Sequence, residues 1–317
     1  MNVSVQIMTF HRDPGLRRAV RSVLAQRGVD PAAIEILVVD NSAEGAARSV
    51  VDALTVEARQ AGYLVRYIHE ARPGIAQARN AGIRNAGADL IAYIDDDEEA
   101  APDWLASMLA ALDKFAADAV GGPVLPIFED GRPADDPFWS WIYDNDEKVP
   151  SGSTYRATGS GNCLFYKSRC CPTDQAFDPA LGLTGGSDTL FFHNLAQSGR
   201  RVLWCAEGIV HEYVPLARTQ LAYGLRRRLQ QSQLFVQIFS WSNPPDRRAI
   251  VKWMAIGVAQ IVVYAPLSLG WWLIDRPRAQ RCLALVYGGV GKVFWKPRFM
   301  ARAYGAAPAR PRAATAQ

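Results

Sequence analysis

Five consecutive acidic residues, 95–99, follow a short hydrophobic segment that ends at Ile94. Adjacent carboxylates repel one another, and a fold tolerates such a cluster at a strand end mainly where a cation neutralises it. Hard divalent cations such as Mg²⁺ and Mn²⁺ bind carboxylate oxygens and substrate phosphates. The alternative is a solvated acidic turn without a ligand. The position after a strand favours a divalent-cation site at these residues.

Three other residues stand where chemistry is possible. Asp40 ends the run VVD and either contacts a ribose or base or caps the next helix. Asp188 follows a glycine pair at a predicted helix start, where a carboxylate either removes a proton from an attacking hydroxyl or is an ordinary first-turn acid. His211 at a strand end is a candidate metal ligand, although a lone histidine is more often structural.

Residues 71–80 (ARPGIAQARN) contain a glycine before a helix and two arginines, Arg72 and Arg79. A helix N-terminus and an arginine both favour anions such as phosphate. The segment matches neither G-x-G-x-x-G nor G-x-x-x-x-G-K-[ST]. The sequence therefore argues against a dinucleotide oxidoreductase and against a P-loop enzyme.

The first 120 residues alternate between β-rich and helical patterns, which predicts a largely parallel sheet with helices on both faces. Ligands bind such sheets outside the carboxyl ends of the strands. Thr9, Asp40 and Asp95 lie at predicted strand ends, so we expect them in one crevice. The predicted strands are 3–9, 34–40, 63–69 and 90–95, and the predicted helices are 16–26, 44–61, 75–86 and 102–115.

The middle of the chain is less regular. Residues 129–157 read as a loop with an aromatic cluster at 138–143, which either stacks on a sugar or is local core. A helix is predicted from an N-cap at Ser187 to Gly199. Short strands are predicted at 121–128, 162–166, 202–205 and 208–211.

Charge divides the chain in two. Residues 1–216 hold 19 Lys/Arg against 29 Asp/Glu, a net −10, and residues 217–317 hold 16 against 2, a net +14. Residues 253–274 are long and apolar enough to span a bilayer, and 282–295 are a weaker apolar stretch. Basic residues flank the first stretch on both sides, so a re-entrant hairpin or an in-plane helix fits better than a single pass. The alternative is a helix pair buried on the catalytic domain or on a partner subunit.

The five cysteines form no C-x-x-C pair, and no signal peptide is visible, so we expect free thiols in a reducing cytosol. The aromatic residues of the C-terminal region lie in apolar runs and are not interleaved with the arginines. This arrangement favours a membrane lipid surface over nucleic acid as the partner of the basic region. Residues 305–317 are predicted to be a disordered tail.

An ordered set of motifs resembles the family 2 inverting glycosyltransferases with the GT-A fold, over roughly residues 1–240. The overall pattern is similar to bacterial exopolysaccharide enzymes. The resemblance implies a GT-A domain at 1–240 (nucleotide half 1–120, acceptor half 121–240), followed by a membrane-associating helical region at 241–304. The motifs are VSVQIMTFHR (3–12), VVDNS (38–42), RPGIAQARNAGIRNA (72–86), IDDDEEAAPDWL (94–105), GSGNCLF (159–165), GGSDTLFFHNLAQSG (185–199) and VHE (210–212).

The resemblance also implies roles. Asp40 and Arg79, with backbone near Thr9, would contact the nucleotide base. Asp95 would face the ribose or the metal, and Asp97, with His211, would bind Mg²⁺ or Mn²⁺ at the diphosphate. Asp188 would be the catalytic base. The family usually has Glu-Asp where this chain has Ser187-Asp188, which puts the positioning of the acceptor in doubt.

The implied reaction transfers one sugar from a nucleoside-diphosphate sugar, with uridine the expected base, to a glycan or a polyprenyl-diphosphate-linked acceptor. The Q-x-x-R-W motif of processive synthases is absent, so a single addition is favoured. The expected location is the cytoplasmic face of the inner membrane. A nucleotidyltransferase and a membrane-bound non-catalytic scaffold are the alternatives.

Overall fold

A computed structural model describes residues 2–133, 135–143, 149–155, 159–182, 185–241 and 244–300. The strands in this part of the chain are β1 (Val3–Thr9), β2 (Ile34–Asp40), β3 (Leu64–His69), β4 (Leu90–Tyr93), β5 (Glu98–Ala100), β6 (Ala119–Gly121), β7 (Val124–Phe128), β8 (Cys163–Tyr166), β9 (Val202–Trp204) and β10 (Val210–Val214). The α-helices are α1 (Asp13–Leu24), α2 (Arg48–Gln60), α3 (Ile75–Asn85), α4 (Trp104–Lys114), α5 (Trp139–Ile142), α6 (Lys167–Cys170), α7 (Ser187–Gln197), α8 (Leu221–Trp241), α9 (Arg247–Trp272) and α10 (Arg276–Val293).

The main sheet has seven strands in the order β3-β2-β1-β4-β8-β6-β9. The first four strands in chain order all pair in parallel, as the alternating pattern predicts. Strand β8 runs antiparallel to its neighbours β4 and β6. Every residue of β1 and β2 is buried, because helices cover both faces of the sheet.

Two hydrophobic layers lie on the two faces of this sheet. Helices α1, α2 and α4 pack on one face through side chains such as Leu16, Leu54 and Trp104. Helices α3 and α7 pack on the other through Ile83 and Phe191. The four predicted helices of the first 120 residues are all present, with ends shifted by up to four residues, which is normal for frayed helix termini.

A second, three-stranded sheet has the order β5-β10-β7. The sequence predicts one strand at 121–128, but the structure has two, β6 and β7, which belong to different sheets. The break falls at Pro123, which has no backbone N–H to donate to a ladder. At the neighbouring Gly122, an added Cβ would lie 2.1 Å from the carbonyl oxygen of Gly208, so the crossing requires a glycine.

Helices α8, α9 and α10 follow the sheets. Helices α9 and α10 begin six residues before each predicted apolar stretch, because Asp246 and Asp275 cap them by accepting hydrogen bonds from the backbone N–H of Ala249 (2.9 Å) and Arg278 (3.0 Å). Pro266 lies inside α9 without ending it. Among the described helices, α9 is long and apolar enough to cross a membrane by length and composition.

The glycines of α10 allow it to pack closely between two neighbouring helices. An added Cβ at Gly289 would lie 2.6 Å from the carbonyl oxygen of Gly257 on α9, and one at Gly291 would lie 2.4 Å from that of Leu229 on α8. These glycines weaken the apolar pattern in the sequence, but in the structure they form the contact surface of the helix. The tail at 305–317, predicted to be disordered, lies outside the described residues.

Candidate active site

The carboxyl ends of β1, β2 and β4 meet at one edge of the main sheet. Thr9 and Asp40 are register partners at the ends of β1 and β2. Asp95 follows β4, the other neighbour of β1. The end of β1 contacts the acidic loop directly, because the Thr9 hydroxyl donates to Asp96 Oδ2 at 2.9 Å. The structure therefore places the three predicted strand-end residues at one edge of the main sheet.

Asp40 organises the loop after β2. Its Oδ1 accepts from the backbone N–H (2.9 Å) and the hydroxyl (2.7 Å) of Ser42. Its Oδ2 accepts from the backbone N–H of Ala47 (2.8 Å) and the hydroxyl of Tyr67 (3.0 Å). The side chain is fully buried, and these four donors occupy its carboxylate. Its predicted contact with a nucleotide base stays a prediction.

Two arginines converge on the acidic loop. Arg12 Nη1 donates to Asp96 Oδ1 at 2.9 Å and to Asp97 Oδ2 at 2.8 Å. Arg218 Nη1 donates to the same Asp97 oxygen at 3.1 Å and to Glu212 Oε1 at 3.0 Å. Two guanidinium groups thus share one carboxylate oxygen of Asp97. A divalent cation at that oxygen would have to displace them.

Asp95 and Glu98 form a second acidic pair beside this oxygen. The Asp95 backbone N–H donates to Glu98 Oε2 at 2.9 Å. Burial, together with the negative charges of Asp97 and other neighbours, raises the pKa of Asp95 to about 7, although Arg79 opposes the shift. Burial and the charge of Asp95 likewise raise the pKa of Glu98 well above its usual value. Crowded carboxylates of this kind either share a proton or bind a cation.

Glycines make room for the acidic loop on two sides. An added Cβ at Gly161 would lie 2.7 Å from Glu98 Oε1 and 2.9 Å from Asp95 Oδ2. An added Cβ at Gly15, in α1, would lie 2.2 Å from the backbone carbonyl oxygen of Asp96. The loop therefore fits only because both positions carry no side chain.

Asp188 lies in the first turn of α7, and Arg79 connects it with the acidic loop. The nearest atoms of Arg79 (Nη1) and Asp188 (Oδ2) are 3.9 Å apart. The Arg79 side chain is buried, and its guanidinium lies over the ring of Phe177 at 5.4 Å. Asp95 is within electrostatic range of both charges. The structure thus brings the predicted residues Asp95, Arg79 and Asp188 together.

The start of α7 differs from the prediction at one point. Gly186, with a φ of 93°, is the N-cap, and Ser187 is the first helical residue. The predicted N-cap at Ser187 is therefore wrong, because the left-handed glycine makes the turn instead. Ser187 is buried, and its hydroxyl has no hydrogen-bond partner among the described residues.

His211 lies on the face of β10 opposite to that of Glu212. It pairs with Glu99 across the β5–β10 ladder, whereas Glu212 pairs with Glu98. Successive side chains of a strand point to opposite faces, so Glu212 reaches Arg218 and His211 faces the other side. In the described ranges, no group of three His, Cys, Asp or Glu side chains is arranged to hold a metal ion. This geometry speaks against His211 as the metal ligand beside Asp97.

Arg12, Glu98, Glu212 and Arg218 belong to the site, but sequence reasoning did not single them out. Arg12 carried a signal, since it follows β1 at the same sheet edge as the acids. Glu98 lies within the acidic run itself. Glu212 lies in the VHE motif but carried no assigned role, and Arg218 had no local signal, because it reaches Asp97 from 121 residues away in the sequence.

Comparison with known proteins gives the family. The model of glycosyl transferase family 2 matches residues 4–168, which is more than half of the chain and includes β1, the acidic loop and β8. This chain belongs to glycosyl transferase family 2. The family match ends before Asp188, so it does not bear on the predicted role of this residue.

Relatives of this glycosyltransferase agree with the assignment. The succinoglycan biosynthesis protein ExoM of Rhizobium meliloti (strain 1021) is 30% identical over 235 residues, 74% of this chain and 74% of that protein. The glucosyl-dolichyl phosphate glucuronosyltransferase of Haloferax volcanii is 30% identical over 152 residues, 47% of this chain and 46% of that protein.

Solved structures share the GT-A fold. The mannosyltransferase PcManGT from Pyrobaculum calidifontis, in complex with GDP-Man and Mn²⁺, has a TM-score of 0.60 at 19% identity and covers 93% of this chain and 87% of that one. TarS 1–349 of S. aureus, in complex with UDP, has a TM-score of 0.53 at 15% identity and covers 92% of this chain and 90% of that one. At such identities the likeness is one of fold.

Proposed function

We propose that this family 2 glycosyltransferase moves a sugar from a nucleoside-diphosphate sugar to an acceptor hydroxyl with inversion, and that Asp188 is the general base. The observation that carries the proposal is the pairing of Asp188 with Arg79 beside Asp95, which places a carboxylate opposite the acidic loop. A single in-line displacement requires a base on one side of the anomeric carbon and the diphosphate on the other, and Asp188 and the acidic loop would supply these two sides.

In the proposed reaction, Asp188 takes the proton of the acceptor hydroxyl while the oxygen attacks the anomeric carbon. The bond from that carbon to the donor diphosphate breaks, and its electron pair stays on the diphosphate. One displacement inverts the anomeric configuration. Asp188 Oδ1 accepts from the backbone N–H of Thr189 at 2.8 Å, which fixes the carboxylate at the end of the helix.

A divalent cation is the proposed cofactor of this site. Asp97 and Asp95 would hold Mg²⁺ or Mn²⁺, because Asp97 already binds two cationic groups and Asp95 is one of a crowded acidic pair. When bound, the cation supplies stabilisation of the negative charge that grows on the leaving diphosphate. The same ion is present in the PcManGT complex, which supports the choice for this chain.

The donor half of the proposal assigns the nucleotide to the edge formed by β1, β2 and α3. Thr9, Asp40 and Arg79 would form the base and ribose side, with Asp95 between the ribose and the metal. Asp40 would act by shaping the loop at 42–47, since its own carboxylate is already hydrogen-bonded. A uridine nucleotide is the first to test, and the UDP complex of TarS supports it.

The proposed acceptor is a glycan or a polyprenyl-diphosphate-linked sugar of exopolysaccharide biosynthesis, which the likeness to ExoM supports. Residues 1–240 would form the catalytic domain, with a nucleotide half (1–120) and an acceptor half (121–240). Residues 241–304 would associate with the cytoplasmic face of the membrane. Basic residues near an anionic leaflet contribute about 1 kcal/mol each.

Calorimetry with UDP, GDP, TDP, CDP and ADP, with and without Mn²⁺, tests the donor site. We expect Mn²⁺-dependent binding of one diphosphate to wild type and its loss in Asp97→Ala. Failure of folded wild type to bind any nucleotide would favour a non-catalytic scaffold.

Asp188→Asn tests the base. We expect it to bind the nucleotide with unchanged affinity and to lose transfer by about a thousandfold or more, a typical contribution of general base catalysis. Asp174→Asn, the same change at an exposed acid, is the matched control and should keep full activity. An α product by NMR from an α-linked donor would contradict inversion.

A further inference from the structure

Helix α9 presents one uninterrupted apolar face to the outside of the molecule. The face is formed by side chains spaced three, four or seven residues apart, which lie on one side of a helix. Val262, in the middle, is 67% exposed, and Leu273, at the end, is 89% exposed. Lys252 is the single charged residue between 249 and 274. The face comprises Val251, Ala255, Val258, Val262, Leu269 and Leu273.

The face is too long and too continuous for ordinary surface. A helix of 26 residues is about 39 Å long, and the apolar side chains follow almost all of it. Monomeric proteins rarely expose contiguous apolar patches of this kind unless something covers them. The opposite side of α9 is already covered by α10 and α8, through contacts such as the rings of Trp253 and Phe235 at 4.7 Å.

The charges around the face fit an anionic surface. Residues 244–300 hold nine Lys/Arg and two Asp, a net charge of +7. The two aspartates are the caps of α9 and α10. Basic residues stand at both ends of the face, at Arg247 and Arg248 before it and at Arg276 and Arg278 after it. A second copy of the chain would bring the same positive ends together, which like charges oppose.

The inner side of α9 argues against a transmembrane orientation. Lys292 on α10 donates to Gln260 Oε1 of α9 at 3.0 Å, near the middle of the helix. Arg281 on α10 donates to the backbone carbonyl of Pro137, which belongs to the loop before α5. If α9 crossed the bilayer, α10 and these charged groups would have to enter the hydrocarbon or separate from their partners, and either step is costly.

We propose that α9 lies flat in one leaflet of an anionic membrane, with its exposed face in the lipid and the basic residues at both ends among the headgroups. The exposed apolar face and the basic residues at both of its ends suit a helix that lies at the boundary between acyl chains and anionic headgroups. This placement of α9 rests on the membrane association proposed above but not on the sugar-transfer chemistry, because none of the residues of the face belongs to the candidate active site.

This orientation also connects the lipid surface with the acceptor side of the cleft. Helix α8 touches both: an added Cβ at Gly186, two residues before Asp188, would lie 2.6 Å from Leu234 Cδ2, and the next residue, Phe235, packs on Trp253 of α9. Helix α8 therefore joins α9 to the start of α7, the helix that carries Asp188.

Vesicle flotation of the full chain tests the proposed membrane contact of α9. We expect binding to vesicles that contain phosphatidylglycerol, and a fall in the partition coefficient of roughly tenfold or more for the double variant Val258→Glu/Val262→Glu, because a charge in the apolar layer is strongly disfavoured. The matched control is Val56→Glu/Leu64→Glu, the same kind of change at exposed apolar residues of α2 and β3, and it should bind like wild type. Equal losses in the two variants would overturn the proposal.

Depth measurements distinguish a helix α9 that lies in the membrane plane from one that crosses the bilayer. An environment-sensitive fluorophore is placed on a single cysteine at position 251, 262 or 273, and lipids with quenchers at known depths are added. Similar depths at the three positions support the in-plane helix. A deep label at 262, with the labels at 251 and 273 at opposite surfaces of the bilayer, would overturn it. So would light scattering that shows a wild-type dimer that does not bind vesicles and that dissociates in the Val258→Glu/Val262→Glu variant.

Discussion

At the scale of single residues, two arginines occupy the carboxylate oxygen of Asp97 at which a metal ion is proposed to bind. Asp97 Oδ2 accepts hydrogen bonds from Arg12 and Arg218 at 2.8 and 3.1 Å. A divalent cation at the same oxygen would compete with both donors for it. Arg218 would remain tethered to Glu212, and the released guanidinium charge would then face the donor diphosphate.

Arg218→Ala should therefore change metal and nucleotide binding in opposite directions. Without nucleotide we expect Mn²⁺ to bind roughly fivefold more tightly, since a partly exposed ion pair that competes with it is worth about 1 kcal/mol. With Mn²⁺ present we expect the nucleotide diphosphate to bind more weakly. Electron paramagnetic resonance of free Mn²⁺ and calorimetry give the two affinities.

Arg226→Ala is the control for this pair of measurements, because Arg226 is exposed on α8 and its removal changes the net charge equally. A loss of both affinities in Arg218→Ala would mean that the residue only supports the fold.

Gly161→Ala should damage the acidic pair. The new methyl group would lie 2.7 and 2.9 Å from the carboxylates of Glu98 and Asp95, so both must move. We expect the free energy of unfolding to fall by about 1–3 kcal/mol. We also expect the folded variant to bind Mn²⁺ more weakly than the wild type does. Gly270→Ala, where an added Cβ meets nothing within 4 Å, should change neither Mn²⁺ affinity nor transfer. Unchanged Mn²⁺ affinity in Gly161→Ala would contradict the placement of the site.

The residue types of this site were readable from the sequence more easily than their contacts. The acidic run after β4 and Asp40 after β2 follow from the alternating pattern, because parallel strands end at one edge. The contact of Arg218 with Asp97 spans 121 residues and depends on the crossing of β10 beside β5. No local pattern encodes that crossing, so the sequence alone does not show which face of β10 carries His211.

At the scale of elements, the hydrophobic periodicity predicted the strands and helices of the first half of the main sheet. It did not predict where the chain passes from the main sheet to the second sheet. Strands β1 to β4 and helices α1 to α4 each bury one face or both, so their periods are clear. Strands β6 and β7 are adjacent in the sequence and look like one strand, but Pro123 separates them into different sheets. Helix α10 was underestimated, because glycines that lower its apolar content are what α8 and α9 pack against.

The packing of α10 against α9 has a consequence for stability at high pH. Burial, together with the charge of Arg228, lowers the pKa of Lys292 to about 8. In the unfolded chain a lysine titrates near 10.4. Between about pH 8 and pH 10 the unfolded state therefore binds a proton that the native state does not, and stability rises with pH across this window.

Lys292→Met should remove this rise and stabilise the protein at pH 7, where burying the ammonium group is unfavourable. Thermal melts at pH 7, 8, 9 and 10 measure the slope, and Lys296→Met, the same change at an exposed lysine, provides the reference. Parallel pH profiles for wild type and Lys292→Met would contradict the burial of a charged Lys292.

At the scale of the whole molecule, the chain is electrically divided. Residues 1–216 carry a net −10 and residues 217–317 a net +14. An anionic membrane repels the first part and attracts the second, so the field of the molecule orients it with the catalytic sheet away from the lipid.

Vesicle binding should therefore depend on salt as well as on the apolar face of α9. Raising the salt concentration should weaken binding to phosphatidylglycerol vesicles, because screening shortens the range of the attraction to about 8 Å at physiological ionic strength. A residual, salt-independent part should remain and should disappear in Val258→Glu/Val262→Glu. Flotation over a salt series measures both parts, and binding that is insensitive to salt would exclude the electrostatic contribution.

The two glycines around the acidic loop restrict sequence drift in different ways. Gly161 faces the side chains of Asp95 and Glu98, so a lineage that replaced these acids could also accept a larger residue at 161. Gly15 faces the backbone carbonyl of Asp96, which no substitution in the loop removes. Position 15 therefore requires glycine for as long as the loop keeps its path, even in a homologue that has lost the activity. A larger residue at position 161, in contrast, would indicate a homologue that has lost the acids of this site.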